Sequence, residues 1–135
     1  MKIDLISDFS VDNFKLNASQ AGEIANDIIS RLEEKVPNST IELALVSKEE
    51  IKRVNKDLRN IDKATDVLSF PQSFHPKAKE KILGSILISP EVAKEEDVSC
   101  EDLFAHGLLH LLGYDHDSDA ESWKKADIKI KRNTL

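Results

Sequence analysis

The stretch Ser99-Cys-Glu-Asp-Leu-Phe-Ala-His106-Gly-Leu-Leu-His110-Leu-Leu-Gly113-Tyr-Asp-His116 decides how this chain is read. Ser99 suits a helix N-cap with Asp102 three residues on, and Val98 and Leu103 occupy the two positions of a hydrophobic staple. Around a helical wheel His106 and His110 share one face, opposite Leu108 and Leu112, while Phe104, Leu109 and Leu111 cover the flanks. A helix apolar over so much of its circumference is predicted to be largely buried. The two histidines are about one turn apart, roughly 6 Å along the axis, so one ion can take both. Gly113 lets the chain leave the helix and reverse, which returns His116 to the same face. Three neutral imidazoles with no fourth protein ligand nearby describe an open zinc site, with water in the remaining position. An isolated His-x-x-x-His pair arises freely by chance, but three of the chain's four histidines fall in this one stretch. The expected cofactor is one zinc ion per chain, held by His106, His110 and His116 on a rigid, buried support.

Outward from that helix the pattern alternates between strand and helix. Residues 1–7 alternate like a strand; Asn17 or Ser19 then caps a helix carrying Ala21, Ile24, Ala25, Ile28 and Leu32, ending before Pro37. Thr40 to Val46 reads as a second strand. Ser47 and Glu50 form a capping box for a helix through about Leu58, with Ile51, Val54 and Leu58 as its inward stripe. Val67 to Phe70 is a short strand ended by Pro71, and Ile82 to Ile88 is another, in which Gly84 lets a neighbouring backbone come close. Pro90 suits the first turn of a short helix. After His116, Ser118 and Glu121 form a capping box opening a final helix through Trp123, Ile128 and Ile130. Trp123 reads as a packing residue, although an exposed indole can stack on a base. The order β-α-β-α-β-β-α-α-α predicts an α+β fold: a small mixed sheet of about four strands covered by about five helices, with the metal-bearing helix central.

Composition bounds the surroundings. With 135 residues and 40% hydrophobic content, the chain suits one core and one domain over 1–135. A single cysteine, Cys100, excludes an intramolecular disulfide framework and reads as a small buried residue in a reducing compartment. The N-terminus lacks a signal peptide's apolar core, and no apolar run approaches a membrane span, so the expected location is the cytoplasm, without membrane attachment. The net charge of −6 argues against a general nucleic-acid coat protein. Two local basic stretches remain: Lys52, Arg53, Lys56, Arg59 and Lys63, and at the C-terminus Lys124, Lys125, Lys129, Lys131 and Arg132. Such runs are more often solvated helix faces than binding sites, yet either can contact RNA.

The run from His106 to His116 resembles the signature of the YbeY family, bacterial rRNA maturation factors described as single-strand-specific, metal-dependent endoribonucleases. Asn55, Arg59, Asp62 and Thr65-Asp66-Val67-Leu68-Ser69-Phe70-Pro71 match that family's other block, in the expected order and upstream of the histidines. Leu83-Gly84 and Ile86 to Ser89 resemble the strand between the blocks. The chain departs from the usual pattern at Leu58, Ala64 and Ser85, where the family has Tyr, Pro and Asp. Ser85 matters most because it replaces a carboxylate.

The resemblance implies that His106, His110 and His116 bind zinc and that Arg59 is the other functional residue of the cleft. It also implies single-stranded rRNA as substrate, small-subunit rRNA 3′-end maturation and ribosome biogenesis as the setting, and the small ribosomal subunit as a partner. Physical chemistry suits both roles. Zinc acidifies its water and polarises a phosphoryl oxygen. A guanidinium holds a phosphate through two donors. Without the resemblance, Arg59 reads as a helix-end arginine favoured by the dipole.

The general base is open from sequence. The spacing His-x-x-x-His-x-x-Gly-x-x-His is also that of the metzincin proteases, whose glutamate directly follows the first histidine; here that position is Gly107, which can carry no proton. Asp115 and Asp66 are candidates, each also readable as a turn carboxylate or as one that orients a histidine, and the RNA 2′-hydroxyl is a candidate nucleophile. The leading reading is a zinc-dependent endoribonuclease. The alternatives are a zinc metalloprotease or other zinc hydrolase, and a non-catalytic ribosome assembly factor with a structural metal.

Overall fold

The computed structural model describes residues 1–36, 39–71, 82–114 and 119–131, without the side chains of 128–131. Its elements are β1 (Lys2–Asp8), α1 (Ala18–Arg31), β2 (Thr40–Leu45), α2 (Lys48–Arg59), β3 (Val67–Phe70), β4 (Ile82–Ile88), α3 (Pro90–Glu96), α4 (Cys100–Leu111) and α5 (Ala120–Lys131). The sheet order is β1-β2-β4-β3; β1, β2 and β4 run parallel, and β3 pairs antiparallel with β4. Parallel neighbours need long crossovers, which α1 supplies between β1 and β2. The result is the expected α+β fold with a four-stranded mixed sheet.

Alternation along β2 and β4 assigns the two faces of the sheet. Ile41, Leu43, Leu45, Ile86 and Ile88 pack with Ala21, Ala25 and Ile28 of α1 and with Leu103, Phe104, Leu108 and Leu109 of α4. Ala44, Val46 and Leu87 point to the other face, where they meet Leu68 and Ile51 of α2. Central β2 is buried on both faces, which is why its run is almost continuously apolar. Phe104, Leu108 and Leu109 are fully buried, so α4 is the central helix. It approaches the sheet closely because a Cβ on Gly84 would stand 2.5 Å from both the Phe70 carbonyl oxygen and Leu111 Cδ2.

The helix starts are written in short polar side chains. Asn17, not Ser19, caps α1: its Oδ1 accepts from Gln20 N at 2.8 Å while Gln20 Oε1 accepts from Asn17 N at 3.1 Å. Ser47, Ser89 and Ser99 accept from the amides of Glu50, Val92 and Asp102. Cys100 is the first residue of α4, and burial pushes its thiol up to about 11.

Two expectations change. Leu58 is 61% exposed rather than inward. The inward side of that turn belongs to Asn55, whose Nδ2 donates to Lys63 O at 2.9 Å, so the returning chain covers it in place of the sheet. The expected Ser118 cap lies outside the described residues; α5 begins at Ala120, and Asp119 Oδ1 accepts from Ser122 N at 3.2 Å, which makes Asp119 the cap. Among the described residues no helix is long and apolar enough to cross a membrane.

Candidate functional site

His106 and His110 sit half-buried on successive turns of α4, on the side away from the sheet. Burial of Phe104, Leu108 and Leu109 fixes the helix, and with it the origins of both side chains. Their Nε2 atoms are 3.2 Å apart and their ring centroids 4.9 Å apart. Two nitrogens bound to one tetrahedral ion at about 2.0–2.1 Å lie about 3.3–3.4 Å from each other, so the pair is spaced for a shared metal. Imidazole nitrogen is also the donor that zinc prefers in such sites.

The chain reverses after α4 as the glycine demands. Gly113 has φ 96°; its amide donates to His110 O and that of Tyr114 to Leu109 O, the two bonds of a Schellman ending. Tyr114 Oη donates to Glu34 Oε1 at 2.7 Å, tying this reversal to the segment after α1 and holding the phenol above its ordinary range. His116 and Asp115 lie outside the described residues. Among the described residues no three His, Cys, Asp or Glu side chains gather as a metal cluster, so the imidazole pair is their contribution to the expected site.

The indole of Trp123, on α5, closes the other side of the pair. Its ring centroid is 4.8 Å from that of His106 and 5.0 Å from that of His110. The sequence expectation of a packing residue holds, but nothing in the spacing revealed that the packing partners are the histidines. Beside them opens a cleft of about 480 Å³ lined by His106, Trp123, Asp27, Asp66, Asp102 and Asp127, among others. Asp66 is fixed chiefly as a turn carboxylate: its Oδ1 accepts from Val67 N at 2.8 Å and from Thr65 Oγ1 at 3.4 Å. The Glu96 carboxyl is raised by burial and then by the charge of Asp66.

Arg59 is not brought to the imidazoles by any described contact. It is exposed in the last turn of α2, whose apolar side meets the opposite face of the sheet, and it is not among the residues lining this cleft. Lys52, Arg53, Lys56 and Lys63 are exposed on the same helix and the segment after it, with Arg53 paired to Glu50 at 2.5 Å. In the C-terminal basic stretch Lys124 and Lys125 are exposed, and the side chains of Lys129, Lys131 and Arg132 lie outside the described residues. Ser85 is also on the α2 side: fully buried, it donates to Glu42 Oε1 at 2.7 Å. A carboxylate is therefore present beside Ser85, supplied by the neighbouring strand. Glu42 was hidden in the sequence inside the apolar run of β2.

The fold and cleft define an α+β protein with converging imidazoles on its central helix. The family model described as Endoribonuclease YbeY matches residues 7–131. The Endoribonuclease YbeY of Nautilia profundicola is 51% identical over 119 residues, covering 82% of this chain and 81% of that protein. That of Campylobacter fetus is 36% identical over 119 residues, covering 79% and 87%. The solution structure of TM1509 from Thermotoga maritima shares the fold, with a TM-score of 0.55 and 24% identity over 96% of this chain and 87% of that one. The chain belongs to the YbeY family.

Proposed function

We propose that this chain is a metal-dependent endoribonuclease that cleaves single-stranded RNA during rRNA processing. The observation that carries the reading is the His106–His110 pair, whose Nε2 atoms converge to 3.2 Å on the buried helix of a YbeY-family chain. Zinc is the metal, one per chain, with His116 as third ligand, and residues 1–135 form one such domain. The setting is the cytoplasm, at the 3′ end of small-subunit rRNA and in contact with the small ribosomal subunit.

A bound zinc ion supplies Lewis-acid polarisation of a phosphoryl oxygen and an acidified water. The protein's own groups do the rest. The imidazoles must stay neutral to bind, and α4 holds them oriented. Arg59, with its planar and permanently charged fork, binds an RNA phosphate from the α2 side and so holds the substrate rather than the reacting group. Lys56 and Lys52, exposed one and two turns before Arg59 on α2, add positive charge for the RNA backbone. Gly107 speaks against the protease chemistry of the same histidine spacing, because it is buried against the sheet and carries no acid–base group.

The test offers single-stranded RNA and unstructured peptides side by side to the metal-loaded protein. RNA cleavage sensitive to a chelator, with peptides left intact, is the expected result. Chelator-sensitive peptide cleavage without RNA cleavage would replace this reading with the metalloprotease.

A further inference from the structure

We infer that Trp123 is a positioning residue for the metal-binding imidazoles, an aromatic buttress that sets the orientation of both rings at once. The inference rests on the metal reading above and adds to it a residue that neither spacing nor chemistry had assigned.

The three ring centroids form a nearly regular triangle, with sides of 4.8, 4.9 and 5.0 Å. The indole meets His106 at 68°, edge to face, and His110 at a shallower 37°. These are favourable aromatic separations, and the edge-on arrangement is a preferred one. Backbone geometry alone does not settle where two imidazoles point. Each keeps a broad, roughly two-fold torsion about its last bond, so helix spacing brings the rings near but leaves the nitrogens free to turn apart. A flat neighbour touching both rings removes that freedom. It also withholds water from one side of the pair, and its π face favours imidazoles that become electron-poor on binding a cation.

Trp123 comes from α5, whereas both histidines come from α4. Docking of α5 therefore completes the site, and Ala126, buried one turn later, anchors that docking independently of the indole. Loss of a group that orients metal ligands ordinarily costs about 10- to 100-fold in metal affinity.

The test compares zinc binding by the wild-type protein with that of Trp123→Phe and Trp123→Leu, using competition with a chromogenic chelator. Phenylalanine keeps an aromatic face and leucine keeps only apolar bulk. Affinity within about 3-fold of wild type for Phe and a loss of about 10- to 100-fold for Leu are expected. Equal affinity in all three proteins would overturn the role while leaving the metal reading intact. Failure of the wild-type protein to bind zinc would instead overturn the metal reading itself.

A second readout needs no variant at position 123. Trp123 is the chain's single tryptophan, so its emission reports on this site alone. Nickel chloride, a quenching metal that imidazole sites accept, should quench it in step with binding, and His106→Ala should abolish the effect. Nickel bound stoichiometrically with unchanged emission would contradict the contact.

Discussion

Gly107 lies against Ile86 so closely that a Cβ in its place would stand 3.0 Å from Ile86 Cγ2, and 2.9 Å from Ser69 Oγ. The missing side chain is thus what seats α4 on the sheet. Gly107→Ala gains about 1 kcal/mol of helix propensity against about 1–3 kcal/mol of overpacking, so a net loss of up to about 2 kcal/mol is expected in denaturant titration. Gly107→Glu should lose considerably more, since it buries a charge on the sheet side, and should supply no base to the imidazoles. A Gly107→Glu protein as stable as wild type would contradict this packing.

Gly84 is held more tightly still. Of the two atoms that a Cβ there would meet at 2.5 Å, Leu111 Cδ2 and the Phe70 backbone oxygen, the second belongs to a strand backbone, which cannot step aside as a side-chain tip can. Gly84→Ala is therefore expected to cost at least about 3 kcal/mol or to displace β3 from β4. A melting temperature within a degree or two of wild type would show that the strands are not this close.

Much of this was legible in the sequence because it depends on local pattern. The caps at Asn17, Ser47 and Ser99 are fixed by neighbours three residues away, and the apolar runs of β2 and β4 follow from burial. The paired histidines were legible because i and i+4 always share a helix face. What was not legible depends on contacts distant in sequence. Leu58 reads as apolar and inward, yet Asn55 takes that side through a bond to Lys63 O. Trp123 meets the histidines only because α5 folds back over α4. Glu42 gives no sign in sequence that Ser85, one strand over, donates to it.

That buried pair leads to a measurable cost. Ser85→Ala removes a donor from the Glu42 carboxyl, which is 1% exposed, and should destabilise the fold by about 1–3 kcal/mol. The imidazole pair is on the other face of the sheet, so zinc affinity should stay unchanged. A coupled loss of metal would mean that the two faces communicate.

Cys100 gives a pH dependence of known sign. Burial raises its thiol from 9.0 to about 11, so the folded state disfavours the thiolate more than the unfolded chain does. The stabilisation is fully present below pH 9 and is lost as the pH rises through about 11. Native protein should accordingly alkylate slowly at pH 8, and denaturant should make it fast. Rapid labelling of the native protein at pH 8 would show the thiol to be exposed.

Arg59 separates a catalytic metal from one that merely holds the fold. Its exposure means that Arg59→Ala should keep normal zinc content and thermal stability, while loss of its phosphate contact weakens RNA binding and slows cleavage. Lysine restores the charge but not the two-donor fork, so Arg59→Lys should be intermediate. Unchanged cleavage by Arg59→Ala would leave this residue as a helix-end charge.

The central claim is that the imidazole pair on α4 holds the metal on which RNA cleavage depends. Elemental analysis of wild type and His110→Ala, with single-stranded RNA cleavage assayed on the same samples, tests it most directly. Wild type should carry about one zinc per chain and cleave, whereas His110→Ala should lose most of both. Full zinc occupancy in His110→Ala, or undiminished cleavage after its metal is gone, would contradict the account.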